Sequence, residues 1–414
     1  MNVEIVNTGS ELMLGRVLNT HQQWLCRRLA DLGHVVTRQV AVADTGREIQ
    51  TAVREALARA DLVITTGGLG PTSDDITREL IAELLGLKLV QSPEVLAHIE
   101  NFFAQRGRPR PALTDVETYV PAGGLFFLNQ TGTAPGLAMP VASVGSTRKW
   151  LVMLPGPPRE LRPMFDHSIV PLLQREFSDE IFVCRTIRST GIGESRVQEI
   201  VAPDLQSLVQ RGLEIGYCAR PGAVDVRLTA TGEAAAQLVR EGEASVQKNL
   251  GPNVFGFDDD EIESVIVRLL TQQNKTLALA ESCTGGNLAH RLTNVPGAST
   301  IFLGSVTSYA NSAKEQILGV NLETLRQHGA VSEAVAREMA LGARAKFGAD
   351  FALSVTGIAG PGGGTAEKPV GTVFIGLASP TGVEVEQRLN PWDRLTFKDV
   401  TATQALEKLR RKLL

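Results

Sequence analysis

The spacing of apolar residues over the first 165 or so positions alternates between short continuous runs and a helical repeat. The runs predict buried strands, and stretches with an apolar residue every three or four positions predict helices. The predicted strands are 3–7, 35–42 and 62–66, and the predicted helices are 17–32, 47–60 and 74–85. Strands that alternate with helices indicate a mostly parallel sheet, on which ligands bind at the carboxyl ends of the strands.

The same alternation returns near the acidic run 258–261. The predicted strands there are 276–280, 301–307, 351–356 and 370–378, and the predicted helices are 262–273, 287–293, 312–318, 333–347 and 394–413. Between the two parts, strand-like runs at 181–189 and 223–231 and helical stretches at 194–202 and 233–250 indicate a small α+β domain. We therefore predict an α/β protein with two α/β domains of mostly parallel sheets, 1–168 and 257–414, joined by an α+β domain at 169–256.

The composition is that of an ordinary globular protein and argues against several classes. The chain has 414 residues, too many for one core, with 43% apolar and 21% charged residues and a formal net charge of −4. This near-balanced charge gives no reason to expect nucleic-acid binding. We expect no membrane span, because no apolar window is long enough, and no signal peptide. Four widely spaced cysteines without a CxxC pair indicate reduced thiols in a cytoplasmic protein (Cys26, Cys184, Cys218 and Cys283).

The segment 281–286 shows the clearest sign of chemistry. It lies between the predicted strand 276–280 and a predicted helix, so that Ser282 stands on a strand-to-helix turn among glycines and free backbone N–H groups. Attack on a carbonyl carbon needs an exposed nucleophile with such donors for the oxyanion. An ordinary helix N-cap would also explain Ser282. Cys283 is a rival nucleophile because a thiol is more acidic than a hydroxyl, and the sequence alone leaves the choice open.

Two later segments offer partners for this turn. Tyr309 and Lys314 could handle protons, provided that burial lowers the pKa of the lysine. The alternatives are a solvated helix lysine and a tyrosine in the core. The glycine-rich segment 356–364 follows a predicted strand, where a long loop would hold a phosphate or ribose or act as a lid.

The strongest pattern in the first domain is the glycine turn 67–70, between a predicted strand and the predicted helix 74–85. Glycines let backbone N–H groups approach an anion, and a helix N-terminus adds positive potential, which suits a phosphate. Asp74 and Asp75 could hold a divalent cation against that phosphate. An ordinary glycine turn with an N-cap side chain is the alternative. The turn matches neither GxGxxG nor the P-loop fingerprint.

Two further segments are candidates for the same pocket. Glu11 follows the first predicted strand, and Gly132 and Thr133 lie in a second turn of small residues. Taken alone, each segment is better explained as a plain loop.

Taken in order, these segments resemble the competence/damage-inducible protein A (CinA) family over essentially the whole chain. The segments that resemble its molybdopterin-binding-like domain are 9–15, 66–77, 129–136 and 154–160, and those that resemble the CinA carboxy-terminal domain are 280–286, 308–314 and 356–373. The resemblance implies a C-terminal nicotinamide-nucleotide amidase that converts nicotinamide mononucleotide and water to nicotinate mononucleotide and ammonia. It also implies an N-terminal ADP-ribose pyrophosphatase that needs a divalent metal ion (Mg, Mn or Co), whereas the amidase would need no cofactor.

The resemblance also implies roles for particular residues. In the amidase, Ser282 would be the nucleophile, with Lys314 and Tyr309 as proton-handling partners. The expected substrate-binding residues are Cys283, Thr284, Gly285, Gly286, Asn311, Gly357, Ala359, Gly360 and Thr372. The expected nucleotide-binding residues of the N-terminal domain are Glu11, Gly67, Gly68, Gly70, Thr72, Gly132 and Thr133, with Asp74 and Asp75 on the metal ion.

Two other functions fit parts of the sequence. The N-terminal domain could be a non-catalytic pterin- or nucleotide-binding module that regulates the amidase. The family name suggests a part in DNA uptake, but the chain has no stripe of basic and aromatic residues that would favour direct DNA contact. We therefore expect small-molecule nucleotides as partners, a homodimer, and no nucleic-acid or membrane partner.

Overall fold

A computed structural model describes residues 1–141, 149–177 and 181–414. They form two compact units, Met1–Phe182 and Val183–Leu414. No helix within the described residues is both long and apolar enough to span a membrane.

The first unit is built on one large sheet. Its strands in chain order are β1 (Asn2–Thr8), β2 (Val35–Val42), β3 (Leu62–Thr66), β4 (Leu89–Gln91), β5 (Tyr119–Pro121), β6 (Leu125–Phe127), β7 (Gly136–Val141) and β8 (Lys149–Leu154). The large sheet has the order β2-β1-β3-β8-β7-β6, and β4 pairs with β5 alone. The first four strands in this order are parallel to one another, whereas β7 pairs antiparallel with β8 and β6 pairs antiparallel with β7. The prediction of a mostly parallel sheet is confirmed.

Helices cover both faces of this sheet. They are α1 (Ser10–Met13), α2 (Thr20–Asp31), α3 (Gly46–Arg59), α4 (Thr77–Leu85), α5 (Pro93–Ala104), α6 (Pro158–Met164) and α7 (Val170–Phe177), with a 3-10 helix at Ala112–Thr118 and a π-helical turn at Phe165–Ile169. Along β3, Ile64 packs into one core cluster with Leu25 of α2, and Val63 packs into another with Ile49 of α3. Successive side chains of a strand point to opposite faces, so a continuous apolar run marks a strand buried on both.

Two predicted helices begin later than expected. The prediction 17–32 is wrong at its start because Asn19 caps the helix by accepting from the Gln22 amide, and α2 begins at Thr20. The prediction 74–85 is also wrong at its start, since α4 begins at Thr77. Asp75 accepts a hydrogen bond from the Thr72 amide, which closes a separate turn before the helix.

The second unit contains two sheets. The first comprises β9 (Phe182–Thr190, which begins in the first unit), β10 (Glu214–Arg220), β11 (Ala223–Thr231) and β12 (Val254–Phe257) in the order β10-β11-β9-β12, with α8 (Glu194–Gln210), α9 (Ala235–Leu250) and a 3-10 turn at Gly251–Asn253. The prediction for α8 ended too early, at 202, because Pro203 lies inside the helix. β10 was not predicted at all.

The other sheet carries the segment around Ser282. Its strands are β13 (Leu277–Glu281), β14 (Phe302–Thr307), β15 (Phe351–Gly357), β16 (Thr372–Ser379) and β17 (Gly382–Leu389), in the order β14-β13-β15-β16-β17. The helices are α10 (Ile262–Gln272), α11 (Asn287–Thr293), α12 (Asn311–Leu318), α13 (Leu322–His328), α14 (Glu333–Phe347) and α15 (Arg394–Leu413), with a 3-10 turn at Ala298–Thr300. β14, β13 and β15 are parallel, so their carboxyl ends meet at one edge.

Candidate functional site

Ser282 and Lys314 meet at this edge of the second unit. Ser282 directly follows β13, and its amide donates to the carbonyl of Val355 in the neighbouring strand β15. Lys314 extends from α12 and is 1% exposed. Its Nζ donates to Ser282 Oγ at 3.0 Å and to the carbonyl oxygen of Ser308 at 2.7 Å. Burial lowers the pKa of Lys314, because the charged ammonium loses hydration.

Cys283 lies beside Ser282 but in a different environment. Its sulfur is buried, and burial raises the pKa of the thiol to about 12. The nearby Glu281 carboxylate acts in the same direction, whereas the Lys314 ammonium opposes the shift. A thiol with such a pKa is a weak nucleophile at neutral pH, and Lys314 donates to the Ser282 hydroxyl. The geometry therefore favours Ser282 as the nucleophile.

Glu281 holds the turn that carries Ser282. This fully buried carboxylate accepts from Thr284 Oγ1 (2.8 Å) and from the amides of Gly286 (3.0 Å), Leu288 (3.1 Å) and Ala289 (2.9 Å). It thus satisfies the free N–H groups at the start of α11, where a negative charge also complements the helix dipole. Gly286 has a φ of 97°, which favours glycine because it has no Cβ.

Two of the amides in this turn are already engaged. The Gly285 amide donates to the Ser282 carbonyl, and the Gly286 amide donates to Glu281. The amides of Cys283 and Thr284 have no carbonyl or carboxylate acceptor within the described residues; they lie near the Cys283 sulfur and moderate its raised pKa. They are therefore the amides of the turn that could receive an oxyanion formed at Ser282.

Tyr309 lies apart from the Ser282–Lys314 pair. Tyr309 is 62% exposed. Its hydroxyl accepts a hydrogen bond of 2.6 Å from Arg394 at the start of α15. The same guanidinium donates to the carbonyl of Gly360 in the glycine-rich loop, also at 2.6 Å. Arg394 therefore ties Tyr309 to the loop.

Sequence reasoning missed Arg394 and Lys398 of the same helix. An added Cβ on Gly285 would lie 3.9 Å from Lys398 Nζ, so this ammonium faces the Ser282 turn. One signal could have pointed to them: the first turn of α15 contains no acid and begins with Arg394. Cations are unfavourable at a helix N-terminus unless something else requires them.

The remaining predicted substrate-binding residues lie near this edge. Gly357 pairs with Val373, the residue after Thr372, across the β15–β16 ladder, and the Ile358 amide donates to the Thr372 carbonyl. Ala359 is buried at the base of the glycine-rich loop, and Asn311 is exposed at the first position of α12. The loop and the lysine helix thus flank the end of β13.

A second candidate site lies in the first unit, in a cavity of about 350 Å³ at the carboxyl ends of the parallel strands. Of the predicted residues, Glu11, Gly67, Gly68, Gly70, Asp74, Asp75 and Thr133 line it, together with Asp44, Glu117 and Glu160. Six of the lining residues are acidic, and none of the described lining residues is Lys or Arg. Gly67 has a φ of 97°, and an added Cβ would lie 2.7 Å from the Thr8 carbonyl oxygen, so the turn requires glycine there.

Thr72 holds the two predicted metal ligands together. Its hydroxyl lies within hydrogen-bonding reach of both Asp74 (2.6 Å) and Asp75, and its amide donates to Asp75 at 3.0 Å. The hydrogen bond from Thr72 lowers the pKa of Asp74, so this carboxylate is expected to be charged at neutral pH. Thr72 does not itself line the cavity.

Glu117 is a residue of this cavity that sequence reasoning missed. It is 1% exposed, and its Oε1 accepts from Thr133 Oγ1 at 3.0 Å. Burial raises the pKa of Glu117 to about 7. It lies in the 3-10 helix before β5, where no turn or glycine motif draws attention to it. Gly132 does not line the cavity but lies against Glu160, which does: an added Cβ on Gly132 would collide with this carboxylate, which also accepts from Asn129.

This cavity offers carboxylate ligands for a divalent cation, but too few of them among the described residues to bind the cation without a further ligand. Carboxylate oxygens are the hard donors that Mg²⁺ prefers, and Mg²⁺ is often held by one or two carboxylates together with phosphate and water. Within the described residues, no three His, Cys, Asp or Glu side chains gather closely enough to hold a metal ion by themselves. Asp74 and Asp75 would therefore hold the ion together with a bound phosphate.

Three family models match the chain in succession. They are a probable molybdopterin binding domain over residues 4–175, a damage-inducible protein CinA KH domain over 184–256 and a CinA C-terminal domain over 259–413. A CinA-like protein of Akkermansia muciniphila is 43% identical over 410 residues, which cover 99% of this chain and 97% of the relative. This chain belongs to the CinA family.

Other CinA proteins extend the comparison. A putative competence-damage inducible protein of Caldicellulosiruptor bescii is 41% identical to this CinA protein over 417 residues, which cover 100% of each chain. The crystal structure of a competence/damage inducible protein from Agrobacterium tumefaciens is 39% identical, covers 37% of this chain and 96% of its own, and has a TM-score of 0.35. The KH match identifies the connecting segment, which the sequence motifs had left without a family.

Proposed function

We propose that the C-terminal domain of this CinA protein hydrolyses the carboxamide of nicotinamide mononucleotide to nicotinate mononucleotide and ammonia. The observation that carries the proposal is the 3.0 Å contact between Lys314 Nζ and Ser282 Oγ at a buried strand-to-helix turn. A lysine with a lowered pKa can act as a general base, and a serine beside such a base becomes a nucleophile. The choice of this amide over others rests on the family resemblance of the motifs.

The proposed reaction has two steps. The neutral Lys314 amine takes the proton of Ser282 Oγ, and the oxygen forms a bond to the carboxamide carbon. The resulting oxyanion receives hydrogen bonds from the Cys283 and Thr284 amides, and protonated Lys314 gives its proton to the leaving ammonia as the C–N bond breaks. Water then attacks the ester carbon and gives a proton to neutral Lys314, which returns it to Ser282 Oγ as the ester C–O bond breaks and nicotinate mononucleotide is freed.

The carbonyl of Ser308 helps the lysine in its role as a base. It accepts a hydrogen bond from Lys314 Nζ at 2.7 Å, so one N–H of the neutral amine is fixed there and the lone pair can face Ser282. No hydrogen bond joins Tyr309 to Ser282 or Lys314 in the described contacts. We therefore assign Tyr309 to the substrate side of the site, with Arg394 and Lys398 as cations for the nucleotide phosphate.

Ammonia release from nicotinamide mononucleotide tests the proposal. Wild type is expected to turn over, and Ser282→Ala is expected to lose at least about 1,000-fold in kcat, since the covalent step disappears. Cys283→Ala is the matched control at the neighbouring position and should retain activity. An inactive Cys283→Ala with an active Ser282→Ala would assign the attack to the thiol, and an inactive wild type would remove the amidase function.

We propose a second activity, a metal-dependent ADP-ribose pyrophosphatase, for the N-terminal domain. The acidic cavity supports it, because a pyrophosphate could enter such a cavity only with divalent cations that offset its charge. When bound, the cation would neutralise the phosphates and activate water. The amides of Gly68, Leu69 and Gly70 would receive phosphate oxygens, since the Gly67 amide already donates to the Leu154 carbonyl. Asp74 and Asp75 would hold the ion.

Formation of AMP from ADP-ribose by the full chain, with and without added Mg²⁺, Mn²⁺ or Co²⁺, tests this activity. Metal-dependent AMP formation that Asp75→Asn abolishes is the expected result. Tight binding of ADP-ribose without AMP formation would instead support the alternative, a nucleotide-binding regulatory module.

A further inference from the structure

Glu117 has one carboxylate oxygen that no described residue satisfies. Its Oε1 accepts from Thr133 Oγ1 at 3.0 Å, whereas its Oε2 is buried and has no hydrogen-bond partner within the described residues. Glu117 nevertheless lines the N-terminal cavity. A buried polar oxygen without a donor is costly, so its presence in a cavity wall points to a bound group that supplies the donor.

A metal ion is a poor match for this oxygen. The described residues offer no cluster of three metal-ligating side chains in this cavity or elsewhere. The Thr133 hydroxyl donates to Oε1 and leaves Oε2 as the carboxylate oxygen that can accept from a ligand. A hydrogen-bond donor on an organic ligand would supply the missing partner.

A sugar hydroxyl is the donor that fits the rest of the cavity. Carboxylates that accept from ribose hydroxyls are the usual means by which nucleotide-binding folds hold the sugar. The glycine turn 67–70 lines the same cavity and offers a site for phosphate, and the volume of about 350 Å³ lies within the usual range of ligand pockets.

We propose that Glu117 and Thr133 form a ribose subsite of the N-terminal cavity, in which Glu117 Oε2 accepts a hydrogen bond from a hydroxyl of a ribose whose phosphate lies at the glycine turn. The cavity would thus recognise the ribose part of its substrate. This inference rests on the nucleotide-binding role proposed above. Thr133 fixes the orientation of the carboxylate, so that Oε2 faces the ligand.

The structure suggests a substitution with an internal control. In Glu117→Gln, the Thr133 hydroxyl keeps its donor role when the amide oxygen takes the position of Oε1. The amide NH₂ then replaces the carboxylate oxygen Oε2, so the ribose hydroxyl can only accept from a neutral amide instead of donating to a carboxylate. Adding Thr133→Val removes that constraint and lets the amide oxygen turn toward the ligand. Glu94→Gln, at an exposed position of α5, is the matched control.

Binding to the full chain is measured by calorimetry with two non-hydrolysable probes in the presence of Mg²⁺. One is the ADP-ribose analogue with a methylene group in place of the bridging oxygen, and the other is methylenediphosphonate, which has no sugar. Glu117→Gln is expected to weaken the analogue about tenfold and to leave methylenediphosphonate unchanged. Mn²⁺ affinity, measured by electron paramagnetic resonance, should also stay unchanged, and the double variant should recover most of the affinity for the analogue.

Three results would overturn the ribose subsite. The first is a parallel loss of methylenediphosphonate or Mn²⁺ affinity, which would make Glu117 a cation ligand. The second is an analogue affinity within about twofold of wild type in Glu117→Gln. The third is failure of wild type to bind the analogue. Binding that behaves as expected in a protein that forms no AMP would refute the pyrophosphatase and leave the subsite intact.

Discussion

Lys314→Met separates the chemical role of this lysine from its role in packing. Methionine has a similar unbranched stem and suits a position that is 1% exposed, but it cannot take a proton from Ser282. Loss of a general base typically reduces kcat by about 100- to 10,000-fold, or roughly 3–5 kcal/mol in the barrier. The expected result in the ammonia assay is a loss in that range.

The pH dependence of stability provides a second, independent measurement. The pKa of Lys314 is lowered from its usual 10.5 by burial, so the unfolded chain binds the proton more tightly than the folded protein. Folding is therefore penalised fully below the folded pKa, and the penalty disappears as pH rises from that value toward 10.5. The stability of wild type relative to Lys314→Met should increase with pH across this window.

The comparison is made by thermal unfolding of both proteins at a series of pH values. Lys346→Met, at an exposed position of α14, is the control and should show no such trend relative to wild type. A wild-type advantage that stays constant or shrinks as pH rises would show that burial does not lower the pKa of Lys314. Full activity in Lys314→Met would remove it as the base.

Three further predictions concern residues around the two sites. Glu281→Gln leaves one acceptor oxygen for four donors. The substitution should therefore lower the free energy of unfolding of the C-terminal domain by about 3–5 kcal/mol, measured by denaturant titration. A loss below about 1 kcal/mol would contradict the role of Glu281 in the turn. Arg394→Met frees Tyr309 and removes a cation, so KM for nicotinamide mononucleotide should rise about tenfold while kcat changes little; a fall in kcat alone would place Arg394 in the chemical step. Thr72→Val should weaken Mn²⁺ binding about tenfold in electron paramagnetic resonance, because Asp75 loses a partner, and unchanged affinity would show that Thr72 does not position the metal ligands.

The architecture was largely predictable because the central strands are buried on both faces. Strands such as β3 and β13 are continuous apolar runs, and their predicted bounds differ from the observed ones by at most one residue. The exposed edge strands β10 and β17 were missed because exposed and partly buried residues are mixed along them. An edge strand is defined by its hydrogen bonds to a neighbour, which a single sequence does not show.

The sequence by itself determined the strand–helix alternation, the family motifs and the position of Ser282 on a strand-to-helix turn, since each depends on neighbouring residues along the chain. Only the tertiary structure decided which residues face that turn. In the sequence, Lys314 is indistinguishable from an ordinary helix lysine. In the folded protein its amine is buried beside Ser282. Glu117 and Arg394 belong to no local motif. Their proposed roles follow from contacts made in the folded protein, between Glu117 and Thr133 and between Arg394, Tyr309 and the glycine-rich loop. The charge state and orientation of a side chain depend on its burial and on contacts with residues distant in the chain. The local sequence therefore does not determine them.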